Sequence, residues 1–126
     1  MKLLLVDDEP YTREGILSII AFDKLGIDEV FSAEDGLSGL AMAKEYQPDI
    51  ILTGGWGLVS NILHDEIFAD DAEWIRPHEE TALWYYKSSL VCTGKETLVV
   101  SMPHPNRAAK NWTLELEKVL RATGRS

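Results

Sequence analysis

Two acidic side chains stand together at Asp7-Asp8, directly after the apolar run Leu3 to Val6 and before Glu9-Pro10. Adjacent carboxylates at the end of a strand supply oxygen ligands for a hard divalent cation such as magnesium, most effectively when a third group joins them. A second cluster, Gly54-Gly55-Trp56-Gly57, has the composition of a loop whose bare backbone N–H groups cradle an anion. It lacks the Lys-Ser/Thr ending of a P-loop and the spacing of a dinucleotide fingerprint. The third cluster is His104 between Pro103 and Pro105, with Arg107 and Lys110 close behind. It places an imidazole able to stabilise developing charge beside two cations suited to a phosphate. Each cluster also has a structural reading. Asp7 and Asp8 read as a solvated acidic loop, Gly54, Gly55 and Gly57 as a tight turn, and the His104 segment as a rigid exposed loop.

An alternation of strands and helices must position these residues. Lys2 to Val6 has the continuous apolar character of a strand buried on both faces. Thr12 is expected to cap a helix over Arg13 to Phe22, with Ile16, Leu17, Ile19 and Ile20 apolar and Gly26 as its stop. Glu29 to Ala33 reads as a second strand, and Asp35-Gly36 opens a helix through Leu37, Leu40, Ala41 and Lys44 that Pro48 ends. Asp49 to Thr53 is the third strand, and such alternation implies βαβ units in a parallel sheet. Beyond it the spacing predicts a helix over Leu58 to Phe68, a short fourth strand at Glu73 to Ile75 and a helix over Glu79 to Leu90. A buried strand from Thr97 to Met102 and an amphipathic helix from Trp112 to Leu120 follow. His104 then falls at the carboxyl end of a strand, the edge where open α/β sheets bind ligands.

Composition narrows the function classes. At 126 residues, 45% hydrophobic and 26% charged, the sequence suits one domain with one core and leaves no room for a second. Its formal net charge of -9 disfavours broad binding to a phosphate backbone. The lone Cys92 rules out an internal disulfide and reads as a buried thiol, and the first apolar run is too short for a signal or membrane segment. A reducing cytoplasm is the expected setting. Trp84, Tyr85 and Tyr86 could offer a stacking surface for bases, but consecutive helical residues point in different directions and cannot form one platform.

The stretches KLLLVDDEPYTREGI, AEDGLSGLAMA and PDIILT together resemble the receiver domain of bacterial response regulators, especially those joined to AraC-type DNA-binding domains. The resemblance covers residues 1–53. It implies that Asp7 and Asp8 help hold magnesium beside an aspartate at the end of the third strand, which receives a phosphoryl group. Clustered carboxylates and the cation would offset the charge of that group during transfer. The position following Thr53 is Gly54, which has no nucleophile. The resemblance also implies a lysine after the last strand, where the chain instead runs Val100-Ser101-Met102-Pro103-His104.

The segment LVVSMPHPNRAAKNW resembles the late strand and histidine-proline loop of the uracil-DNA glycosylase superfamily. That resemblance implies a place for His104 at a flipped base, although the early water-positioning loop of that family has no counterpart here. The expected architecture is a single domain over 1–126, with a five-stranded doubly wound parallel sheet in a flavodoxin-like or receiver-like three-layer sandwich. The receiver resemblance implies strand order 2-1-3-4-5. Residues 54–126 have a different apparent parentage, so the chain reads as a recombinant or degenerate receiver. The expected role is that of a non-catalytic scaffold without a phosphoacceptor. The alternatives are a repair enzyme of uracil-DNA glycosylase type, with His104 as catalytic candidate, and a phosphate-independent signalling receiver. No cofactor is expected beyond a loosely held magnesium ion at Asp7 and Asp8. The expected partner is another protein or a second copy of the chain, with membrane and nucleic acid disfavoured.

Overall fold

The computed structural model describes residues 1–54, 85–90, 96–102 and 112–124. Strand β1 (Lys2–Val6) pairs in parallel with β2 (Glu29–Ala33) on one side and β3 (Ile50–Gly54) on the other. Leu3, Leu4, Leu5 and Val6 are all buried, because a central strand covered on both faces has no solvent side to which a polar residue could turn.

Helix α1 (Pro10–Ile19) begins earlier than the sequence pattern predicts. Pro10 occupies its first turn, where a missing N–H breaks no helical bond, and the Glu9 carboxylate accepts from the Tyr11 N–H at 3.1 Å. Glu9 therefore takes the capping role expected of Thr12, which lies inside the helix. At the other end the helix stops at Ile19. A 3-10 turn (Phe22–Leu25) follows, closed by Gly26 at φ 77, a left-handed conformation that glycine adopts without steric penalty. Helix α2 (Gly36–Tyr46) starts as expected at Asp35, whose carboxylate accepts from the Ser38 N–H at 2.7 Å. Its end is marked by Gln47 in the left-handed region just before Pro48.

The second half departs from the expected pattern. Strand β5 (Glu96–Met102) lies parallel and directly beside β3, with Leu52 opposite Val100. Strand β4 (Tyr85–Leu90) runs antiparallel to β5 at the sheet edge, with Tyr86 opposite Val100 and Leu90 opposite Glu96. The described sheet therefore has the order β2-β1-β3-β5-β4, with four parallel strands and one antiparallel. This corrects the expected all-parallel 2-1-3-4-5 order, and it corrects the helix expected to reach Leu90. Strands β4 and β5 are joined by five residues that include Gly94, a connection suited to an antiparallel hairpin and too short for a parallel crossover. The expected helix over 58–68 and strand over 73–75 lie outside the described residues.

Two apolar layers enclose the sheet. On one face Leu3, Leu5, Ile50, Leu52, Leu98 and Val100 pack with Ile16 and Ile20 near α1 and with Trp112, Leu116, Val119 and Leu120 of α3 (Trp112–Ala122). On the other, Leu4, Val6, Ala33, Ile51 and Val99 pack with Ala43, Leu40 and Met42 of α2. The period-two alternation along each strand divides these two sets. Helix α3 is tied to the end of α1 by the Thr113 hydroxyl, which accepts from the Ala21 N–H at 3.0 Å.

Candidate functional site at the switch point of the sheet

From β1 the chain crosses by α1 to β2 on one side, then returns by α2 on the opposite face to β3 on the other side. The strand order thus reverses between β1 and β3, and the crevice outside their carboxyl ends is where α/β sheets place ligands. Val6 stands opposite Thr53, so Asp7, directly after β1, and Gly54, the last residue of β3, both follow at this edge. Met102 of β5 is opposite Gly54. Thr53 and Ser101, a buried pair in register just below the edge, carry the hydroxyls closest to it on β3 and β5. The Thr53 hydroxyl donates to the Val100 carbonyl at 3.4 Å.

Asp7 is 3% exposed and is held at several points. Its N–H donates to the Ala33 carbonyl at 3.1 Å, extending the β1–β2 pairing by one step. One carboxylate oxygen accepts from the Glu9 N–H at 2.9 Å, which closes the turn into α1. The Arg13 guanidinium donates to the Asp7 carbonyl at 2.7 Å. Burial raises the Asp7 carboxyl above its ordinary value, the neighbouring charges of Asp8 and Glu9 push the same way, and the Glu9 N–H and Arg13 oppose the shift. Asp8 is exposed. The two adjacent acids consequently face different conditions, one fixed and desolvated, the other in water.

Asp7→Asn is expected to stabilise the protein by about 1 kcal/mol near neutral pH, because it removes a buried charge while keeping an oxygen for the Glu9 N–H. Because the folded-state value lies above the unfolded one, the folded state binds the Asp7 proton more tightly. Stability from this group is full below the ordinary value of 3.8 and falls as pH rises towards the raised value. Urea unfolding across the acidic range should show this fall in the wild type and a flatter profile in the variant. An Asn variant less stable than the wild type at neutral pH would contradict the assignment.

Of the residues singled out from sequence, Asp7 and Asp8 follow the end of β1 and Gly54 ends β3, on adjacent strands of this edge. Gly55, Gly57, His104, Arg107 and Lys110 lie outside the described residues. Among the described residues, no three His, Cys, Asp or Glu side chains gather in a group able to hold a metal ion. Arg13 was missed in the sequence reading. Its position one turn into the helix that follows the acidic loop is the signal that could have found it, since a long cation there reaches back to the strand end.

No family model matches the chain. In sequence it is 29% identical over 70 residues to the transcriptional regulatory protein HptR of Staphylococcus aureus, a match covering 50% of this chain and 28% of that protein. It is 29% identical over 52 residues to an uncharacterized response regulatory protein of Staphylococcus epidermidis, covering 41% of this chain and 21% of the relative. The chain thus spans less than a third of the length of these relatives. Among solved structures it matches a two-component transcriptional regulator AraC from Clostridium phytofermentans at 33% identity and a TM-score of 0.44, over 50% of this chain and 54% of that one. No described helix is long and apolar enough to cross a membrane. In sequence the chain is similar to a transcriptional regulatory protein and to a response regulatory protein, over half of its length or less.

Proposed function

We propose that the chain is a receiver-like α/β module that takes no phosphoryl group at the end of its third strand and acts by binding without catalysis. The observation that supports this reading is the register at the switch point, where Val6 pairs with Thr53, so that Asp7 and Gly54 are the next residues along the two chains and Gly54 falls where the receiver resemblance implies an acceptor carboxylate. Transfer to a carboxylate requires the nucleophilic oxygen itself, and neither the acidic loop nor the Thr53 hydroxyl, buried and donating to Val100, substitutes for it. The test is incubation with acetyl phosphate and magnesium, followed by intact mass and hydroxylamine sensitivity. The expected result is no stoichiometric acyl phosphate and no stable beryllofluoride adduct. Stoichiometric modification mapping to Asp7 or Asp8 would overturn the reading.

The sheet supports a second element of the proposal, that residues after Thr53 have a different parentage from those before it. Strands β1, β2 and β3 follow the order the receiver resemblance implies, whereas β5 sits directly beside β3 and β4 turns back antiparallel at the edge. Both blocks nevertheless share one apolar layer through Trp112 and Leu116. Unfolding is therefore expected to be a single cooperative transition. All four tryptophans, Trp56, Trp74, Trp84 and Trp112, follow Thr53, so fluorescence tracks the second block while far-ultraviolet circular dichroism samples both. Two separated midpoints would show that the blocks are not coupled.

A further inference from the structure

We draw no further inference here: the strongest candidate, the apolar groove between α1 and the start of α3 lined by Tyr11, Thr12, Gly15, Ile16, Ile19 and Trp112, is an unpartnered face, and nothing in the structure shows what covers it.

Discussion

Gly39→Ala is expected to destabilise the protein by up to about 2 kcal/mol, the reverse of what the same change does in an unhindered helix. Alanine gains roughly 1 kcal/mol over glycine in a helix interior from backbone entropy alone. At Gly39, however, a Cβ would lie 2.9 Å and 3.2 Å from the two methyl carbons of Val6. Val6 is fully buried at the end of β1, and its branched side chain has little rotational freedom with which to yield. Overpacking of this kind costs about 1–3 kcal/mol, enough to outweigh the propensity gain. A larger side chain, as in Gly39→Leu, should prevent α2 from seating on the sheet. Chemical denaturation of Gly39→Ala, Val6→Ala and the double variant provides the check. The double variant should lose less than the sum of the two single losses, because the smaller residue at position 6 makes room for the new methyl. A neutral or stabilising Gly39→Ala would mean that α2 sits further from β1 than described.

Gly54→Asp is expected to raise magnesium affinity by roughly tenfold or more, since the ligand charge count is a main determinant of affinity at an oxygen site. Strand alternation puts position 54 on the same face of the sheet as Asp7, continuing the series Ile50 and Leu52 on β3 and Leu3 and Leu5 on β1. A third carboxylate there would join Asp7 and Asp8. Without the cation, the added negative charge next to a desolvated carboxyl should lower stability, and magnesium should restore it. Calorimetric titration and thermal unfolding with and without magnesium read the two effects separately. Equal magnesium binding by the variant and the wild type would show that the strand ends do not converge. Gain of phosphoryl uptake is a separate matter, because the last strand does not end in the lysine that the resemblance implies.

The first three strands were legible in the sequence because each is a short apolar run with a clear stop. Asp7 ends one, Glu34-Asp35 another, and Pro48 sets the start of the third. The start of α2 was legible because a short side chain at Asp35 caps in a standard way. The start of α1 was misplaced because Glu9 reaches its cap with a longer side chain, and Thr12 offered a commoner capping residue nearby. The sequence of β4 suits a helix as well, because Leu83, Tyr86 and Leu90 fall at helical spacing, while the adjacent aromatic residues and the five-residue connection that includes Gly94 suit a hairpin. Over so short a segment, periodicity does not choose between them, and pairing with β5 decides. At the site, the neighbourhood of the acidic loop and position 54 was implied by the receiver resemblance, and the pairing of β1 with β3 agrees with it. The burial of Asp7 depends on the packing around the strand end, which no spacing rule encodes, whereas the place of Arg13 one turn into α1 does signal its reach to the Asp7 carbonyl.

The division of the core into two apolar layers bears on the order in which the chain can fold as it is synthesised. Among the described residues, the layer beneath α2 draws nearly all its members from the first 51 residues, with Val99 the late addition. The opposite layer leaves Leu3, Leu5, Ile16, Ile20, Ile50 and Leu52 waiting for Trp112, Leu116, Val119 and Leu120. A growing chain released residue by residue from the ribosome can therefore close one side of its sheet early. Among the described residues, α1 is the first cover of the other side, and the part that Trp112, Leu116, Val119 and Leu120 fill is, until α3 emerges, the surface on which a chaperone would act or aggregation would begin.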